Sequence, residues 1–218
     1  LDDLNIKRII KKLKIKNYFT FGFHKESNYQ VCNTKYEINY TKFDLKIKNI
    51  GVKNFYIKDI ILNLIGKHNV INATAAISLC LNLGLKENII KKALKNFSGV
   101  QRRLTKVFKM NKVEFYDDYA HHPTEIASVL EGVREIAKKN KIISIFQPHR
   151  YSRIKSLKLE FASCFKKTDQ VILCPMYSAG EPRDKTYNEK TFAQLISKFS
   201  KTQVILIANE NDLTKYLR

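Results

Sequence analysis

The sequence has no tryptophan, only four prolines and seven glycines, and no apolar run long enough to span a bilayer. So little proline and glycine argues against a low-complexity or disordered chain, and a membrane-spanning helix needs about 18 or more apolar residues. The opening segment LDDLNIKRIIKK lacks the apolar centre of a signal peptide. We therefore expect a folded cytoplasmic protein that does not contact a membrane.

Cysteine is also scarce, and Cys32, Cys80, Cys164 and Cys174 are widely separated without a CxxC pair. This spacing excludes a dense disulfide framework and a zinc site built from cysteine pairs. The pattern predicts four reduced thiols packed in the cores.

Acidic residues are few, since 20 Asp and Glu against 40 Lys and Arg give a formal net charge of +20. Such a charge is typical of proteins with anionic partners such as nucleic acids. The lysines are nevertheless spread along the whole chain beside many Asn and Ile, and no stretch interleaves clustered basic residues with aromatics. We expect no specific nucleic-acid partner, whereas phosphorylated small molecules agree with this charge.

The first half of the chain predicts a small antiparallel sheet followed by two helices. The short extended segments between residues 15 and 50 are NYFTFGF, YQVCN, YEINY and FDLKIKN. Helical spacing then predicts helices over Val70–Leu83 and Lys86–Phe97, with Gly84 as the stop signal between them.

From about residue 100, apolar strands alternate with longer helical patterns. The strands are VEFYDDY, KIISIFQ, QVILCPM and QVILIAN, and the helices are PTEIASVLEGVREIAKKN, LKLEFASCFKK and KTFAQLISKFS. This alternation predicts an α/β fold with a mostly parallel, Rossmann-like sheet, strands apolar on both faces, and helices on both sides. The change of pattern near Gly99 and Val100 is the best candidate boundary between a domain at 1–99 and one at 100–218.

Ligands of such sheets bind at the carboxyl ends of the strands. Three polar loops, DDYAHHP, QPHRYSR and CPMYSAGE, each directly follow a predicted strand. We therefore expect all three at the same edge of one sheet, as a candidate site.

Two motifs carry side chains suited to a nucleotide. Asn69 and Asn72 are three apart at a helix start, and their carboxamides offer the donor and acceptor that an adenine edge requires; alternatively, Asn69 only caps the helix. The guanidinium groups of Arg102 and Arg103 match phosphate oxygens, unless these residues are simply a solvated linker.

Two further motifs carry side chains suited to anionic substrates. In DDYAHHPT, an Asp at a strand end can accept from ribose hydroxyls, and an imidazole can orient an anion. No zinc site or Ser-His-Asp triad is expected there, because the ligand spacing and the nucleophile elbow are absent. In FQPHRYSR, Arg150 and Arg153 can converge on a carboxylate or phosphate, or form a salt-bridged surface turn.

Five motifs occur in this sequence in the order GKHNVINATAA, GVQRRL, DDYAHHPTEI, FQPHRYSR and MYSAGE. In these motifs and their order, the chain resembles the Mur ligases, in particular members that join L-alanine to UDP-N-acetylmuramate. The resemblance implies the late part of a central ATP-binding domain at 1–99 and most of a C-terminal Rossmann-like domain at 100–218. It implies that ATP activates a carboxylate as an acyl phosphate, with magnesium essential, in peptidoglycan precursor synthesis.

The resemblance also implies site residues. Those for the nucleotide are His68, Asn69, Asn72, Arg102, Arg103, Asp118 and Tyr119. Those facing the substrate carboxylate or the incoming alanine are His121, Arg150 and Arg153.

The chain departs from the family pattern in three respects. It contains no GxxxxGK[ST] phosphate loop, it lacks the family's upstream magnesium ligands, and it stops at DLTKYLR, short of the glycine-rich segment expected near the family's C-terminus. We therefore expect a fragment truncated at both ends, with the magnesium ligands upstream and no activity of its own. Two alternatives remain open: a recycling ligase that attaches a whole peptide to the same UDP-sugar, and a basic nucleic-acid-binding protein.

Overall fold

The computed structural model describes residues 2–14, 16–37, 39–48 and 54–217. It divides the chain into two compact units, Leu1–Val100 and Gln101–Arg218. Within those described ranges, no helix is long and apolar enough to cross a membrane.

The described part of the first unit contains a four-stranded sheet and three helices, of which the second and third cover the sheet. The strands, in sheet order, are β1 (Phe21–Gly22), β2 (Tyr29–Tyr36), β3 (Thr41–Ile47) and β4 (Phe55–Leu62). The helices are α1 (Leu4–Leu13), α2 (Lys67–Asn82) and α3 (Glu87–Asn96). Every second residue of β3 is buried, which is the period of a strand with one face on a core. That core includes Val70 and Ile77 of α2 and Ile90 of α3.

Several expectations for this unit were wrong. Among the described residues of segment YEINY, Tyr36 is the last residue of β2, and beyond it the Glu37 amide donates to the Tyr40 carbonyl over 2.9 Å. Strand β1 pairs with β2 in parallel, although β2, β3 and β4 are antiparallel as expected. Helix α1 and strand β4 were not predicted from the sequence. Asn49, the last residue of the predicted strand FDLKIKN, lies outside the described residues.

The second unit contains a two-stranded antiparallel hairpin and a three-stranded parallel sheet. The hairpin strands are β5 (Thr105–Met110) and β6 (Val113–Asp117), and the parallel strands are β7 (Ile143–Phe146), β8 (Gln170–Leu173) and β9 (Gln203–Leu206). The expectation that all three polar loops leave one sheet is wrong for DDYAHHP. Strand β6 belongs to the hairpin because a two-residue turn, with Asn111 at φ +55°, folds β5 back onto it.

Four helices pack around a core of aromatic and aliphatic side chains that they share with the parallel strands. They are α4 (Pro123–Ala137), α5 (Tyr151–Ser156), α6 (Lys158–Ser163) and α7 (Glu189–Ser200), and they are followed by α8 (Glu210–Leu217), which has no buried residue. The helix expected over LKLEFASCFKK is shorter than predicted, because α6 ends at Ser163, and α5 precedes it as a separate short helix on the other side of Leu157. Only β8 is buried along its whole length, so the expectation of strands buried on both faces is wrong for β7 and β9.

All four cysteines are free thiols, as expected. Only Cys164 is buried, and its burial raises the pKa of the thiol to about 12. Cys32, Cys80 and Cys174 are partly exposed, so the expectation that all four lie inside the cores was too broad.

Candidate active site

The predicted adenine-binding residues of the first unit lie in the first turns of α2. His68, Asn69 and Asn72 share the side of the helix away from its buried residues, and Asn72 is exposed. Gly66, at φ +99°, is the N-cap residue, so Asn69 lies within the helix and does not cap it. The Asn69 side-chain amide donates to the Ile65 carbonyl over 2.8 Å. This bond uses one of the two amide hydrogens and fixes the carboxamide next to exposed Asn72.

In the second unit, Arg102 and Tyr119 form a stacked pair at the end of β6. The Arg102 guanidinium carbon lies 4.8 Å from the centre of the Tyr119 ring, and its Nε is 3.3 Å from a carboxylate oxygen of Asp117. The Tyr119 amide donates to the Arg102 carbonyl over 2.8 Å. Arg103 beside this pair is exposed. The arrangement places the Arg102 guanidinium group over the Tyr119 ring, as in a cation–π pair.

The Asp118 carboxylate links two loops. One oxygen accepts from the Leu104 amide and the other from the Ala120 amide, both over 2.7 Å. These bonds hold the turn that contains Arg102 against the loop that contains Tyr119. The geometry therefore shows a structural role for Asp118. Each of its two carboxylate oxygens keeps one further lone pair that could accept a hydrogen bond from a ligand.

His121 is oriented by the loop that carries it. Its Nδ1 lies 2.9 Å from the Tyr119 carbonyl oxygen, which can only accept, so Nδ1 carries a hydrogen. In the neutral ring, Nε2 is then the acceptor. The amides of His121 and His122 both donate to Oε2 of Glu125, over 3.1 and 3.2 Å.

Glu125 and His122 form the capping box of α4. Burial raises the pKa of the Glu125 carboxyl, but the two backbone N–H bonds and the nearby Arg103 charge, together with His121 when it is protonated, outweigh it and hold that pKa below its usual range. The His122 ring accepts from the Thr124 amide, so it is engaged as a helix cap. In the part of the chain that the structure describes, no three His, Cys, Asp or Glu side chains are grouped to hold a metal ion.

Arg153 connects the loop after β7 with the DDYAHHP loop. Its Nη1 lies 3.4 Å from the His121 carbonyl oxygen and 3.5 Å from Nδ1 of His149. Because a guanidinium group only donates, Nδ1 of His149 is the acceptor and Nε2 carries the hydrogen. Burial lowers the pKa of His149, and the positive charges of Arg153 and Arg150 lower it further. His149 is therefore neutral near pH 7.

The loops after β7 and β8 are joined by backbone hydrogen bonds. The Tyr177 amide donates to the Pro148 carbonyl over 2.8 Å, and the Arg150 amide donates to the Tyr177 carbonyl over 2.9 Å. Arg150, at φ +70°, is the residue that precedes α5, and its side chain is exposed. The His149 and Tyr177 rings lie 5.3 Å apart over the same edge. This edge of the sheet thus carries the guanidinium groups of Arg150 and Arg153 and the imidazole of His149, and the DDYAHHP loop brings the His121 ring near that of His149.

Sequence models of two domains cover most of the chain. The model for "Mur ligase, glutamate ligase domain" matches residues 102–218, which is more than half of the chain, and that for "Mur ligase middle domain" matches residues 1–80. The chain belongs to the Mur ligase family.

Individual relatives agree with this assignment. A UDP-N-acetylmuramate–L-alanine ligase from Pelagibacter ubique is 48% identical to this Mur ligase chain over 218 residues, which are 100% of this chain and 47% of that protein. The crystal structure of the Thermotoga maritima UDP-N-acetylmuramate–alanine ligase superposes with a TM-score of 0.69 at 27% identity, covering 90% of this chain and 41% of that one. A murein peptide ligase from Psychrobacter arcticus has a TM-score of 0.64 at 20% identity, covering 100% and 44%, and shows the fold alone. The chain spans about half the length of the curated relatives it matches.

The structure of this Mur ligase chain groups the predicted residues within each unit. His68, Asn69 and Asn72 lie together on α2. In the second unit, Arg102 contacts Tyr119, and Arg153 contacts the backbone of His121. Their assigned roles in binding and catalysis stay predictions.

Sequence reasoning did not select three residues that shape this site. His149 lies inside the motif FQPHRYSR, directly after a strand, and that position was the available signal. Glu125 lies three residues after the cap of α4, the spacing of a capping box, but a histidine cap hides the usual pattern. Glu181 of MYSAGE contacts Ser152, which is 29 residues away, and no local pattern indicates such a contact.

Proposed function

We propose that this Mur ligase chain is part of a cytoplasmic, ATP-dependent ligase that adds L-alanine to UDP-N-acetylmuramate in peptidoglycan precursor synthesis. The observation that carries the proposal is the 48% identity to an alanine-adding ligase over the entire chain. In this reaction, the carboxylate of the UDP-sugar takes the terminal phosphoryl group of ATP. The amine of L-alanine then attacks the acyl phosphate, an amide bond forms, and ADP and phosphate are released.

The second unit supplies the carboxylate-binding side chains in this proposal. The guanidinium groups of Arg150 and Arg153 bind a substrate carboxylate, because a planar fork of donors matches two carboxylate oxygens. The lone pair on Nε2 of His121 is available to a donor, such as the amine of the incoming amino acid. Neutral His149 adds no positive charge that would repel Arg153.

Adenine-nucleotide binding is assigned to residues of both units. In the first unit, Asn69 and Asn72 bind the adenine edge, with His68 beside them. In the second unit, the phosphates are approached by Arg102 and Arg103, and the nucleotide is contacted by Asp118 and Tyr119. The described residues do not form a magnesium site, so no step is assigned to that ion.

A hybrid ligase tests the proposal. In the hybrid, this chain replaces the matching 47% of the Pelagibacter ubique relative. Release of phosphate that depends on L-alanine, UDP-N-acetylmuramate and magnesium-ATP is the expected result. The 218-residue chain by itself is measured alongside, and we expect it to form no amide.

The acceptor used by the hybrid distinguishes the two ligase functions. Amide formation with a peptide acceptor and none with L-alanine would favour a recycling murein peptide ligase, whose fold this chain also matches. A folded hybrid that is inactive with both acceptors, while the unmodified relative is active, would contradict both. The double variant Asn69→Ala and Asn72→Ala is the matched control, because it should raise KM for ATP without changing the acceptor used.

A further inference from the structure

The first turn of α5 lacks a cap from its own sequence. Arg150 precedes the helix, and its side chain makes no capping hydrogen bond. The first amides of any helix have no partner within the helix, so they need an acceptor from elsewhere. This turn matters because it carries Arg150 and Arg153, the residues assigned to the substrate carboxylate.

Glu181 supplies the missing acceptor from the loop after β8. One of its oxygens accepts from the Ser152 amide over 3.0 Å, and the other accepts from the Ser152 hydroxyl over 2.6 Å. These two bonds to Ser152 hold the pKa of the Glu181 carboxyl below its usual range. The side chain is therefore negative near pH 7, and a negative charge stabilises the amino end of a helix.

The same loop also holds the residue before the helix, since the Tyr177 carbonyl accepts from the Arg150 amide over 2.9 Å. Ser152 lies between Arg150 and Arg153 in the sequence, so fixing Ser152 fixes the backbone from which both guanidinium groups extend. We propose that Glu181 is a positioning residue, which holds the first turn of α5 so that Arg150 and Arg153 receive the carboxylate of the amino-acid substrate. This inference rests on the proposed function and assigns Glu181 no contact with substrate.

Two substitutions separate hydrogen bonding from charge. Glu181→Ala removes both bonds to Ser152. Glu181→Gln keeps an oxygen for the Ser152 amide and an NH₂ group for the Ser152 hydroxyl, and removes only the charge. Glu160→Ala is the matched control, because Glu160 is an exposed glutamate in the first turn of neighbouring α6.

Kinetics of the hybrid ligase give the first readout. In Glu181→Ala, KM for L-alanine should rise about tenfold, as for loss of one charged hydrogen bond, while KM for ATP stays within about twofold. Glu181→Gln should lie within about threefold of the parent in KM for L-alanine. An unchanged KM for L-alanine in Glu181→Ala would overturn the positioning role. So would an equal rise in KM for L-alanine in Glu181→Ala and Glu181→Gln.

Amide hydrogen exchange in the intact 218-residue chain gives a second readout that needs no activity. The Ser152 amide should exchange at least about tenfold faster in Glu181→Ala than in the parent or in Glu160→Ala. Unchanged exchange would overturn the inference even in an active hybrid. An inactive parent hybrid with faster exchange in Glu181→Ala would instead overturn the proposed function and keep the capping contact.

Discussion

At the residue scale, the site depends on how each side chain is already engaged. Asp118 uses both oxygens to join two loops, and Asn69 uses one amide hydrogen on a backbone carbonyl. His121 and His149 have opposite tautomers, because one faces a carbonyl and the other a guanidinium group. These contacts define which atoms remain available to a ligand.

Arg153→Lys tests whether the guanidinium shape matters. Lysine keeps the charge but cannot both bind a carboxylate with two parallel donors and reach the His121 carbonyl. We expect turnover of the hybrid ligase to fall at least about tenfold, with little change in melting temperature. Initial rates and thermal melts measure the two quantities.

Arg8→Lys is the matched control for that change, because Arg8 is exposed on α1 in the other unit. It should leave both turnover and melting temperature unchanged. Near-normal turnover in Arg153→Lys would remove Arg153 from the carboxylate-binding residues.

At the element scale, helix ends position the site. Helix α4 begins at Pro123 directly after the two histidines, and its capping box fixes the backbone of both. Helix α5 receives its acceptor from a different loop, through Glu181. The cap of α4 is encoded within four residues, although a histidine at the cap position hides its usual pattern, whereas a cap donated across 29 residues is a property of the folded chain.

The capping carboxylate of α4 predicts a pH dependence. The folded-state pKa of Glu125 lies below its ordinary value of 4.5, so ionised Glu125 stabilises the fold above that value. This stabilisation is lost as the pH falls through the folded-state pKa. Glu125→Ala should therefore lower the free energy of unfolding by about 1 kcal/mol near neutral pH, with the difference shrinking as the pH falls below the ordinary value of 4.5.

Urea denaturation followed by far-UV circular dichroism, at a series of pH values, checks this expectation. Glu131→Ala is the control, since Glu131 is exposed on the same helix and caps nothing in the described structure. It should change the free energy of unfolding by less than about 0.5 kcal/mol. A destabilisation by Glu125→Ala that is the same at every pH would contradict the role given to the charge.

At the scale of the whole molecule, the formal charge of +20 needs an explanation compatible with a small-molecule enzyme. Basic residues occur in both units and at both ends of the chain. A dispersed charge attracts polyanions without selecting a sequence, and salt screens it. The ligase proposal and the nucleic-acid alternative therefore differ in a measurable way.

Fluorescence anisotropy with a labelled DNA duplex measures that difference. We expect binding at about 50 mM salt to weaken at least about a hundredfold at about 200 mM, with no sequence preference. The double variant Lys11→Gln and Lys12→Gln removes two charges from the first unit, and the double variant Lys166→Gln and Lys167→Gln removes two from the second. The first should weaken DNA binding no more than the second. Tight, sequence-selective binding at the higher salt would favour the nucleic-acid alternative.

The sequence alone predicted much of the secondary structure. Periodicity and stop signals gave α2, α3, α4 and α7 to within a few residues, and the apolar runs gave the three parallel strands. The order of five motifs gave the family, which the two domain models show. These features are local, because a helix, a turn or a motif is encoded by neighbouring residues.

Contacts between distant residues were decided by tertiary structure. The sequence did not show that β6 pairs with β5 and not with the parallel sheet, or that β7 and β9 keep one side partly exposed. Nor did it show that Arg153 meets the carbonyl of His121, which is 32 residues away. Such contacts depend on how whole elements pack, and packing is set by many weak interactions that no short segment contains.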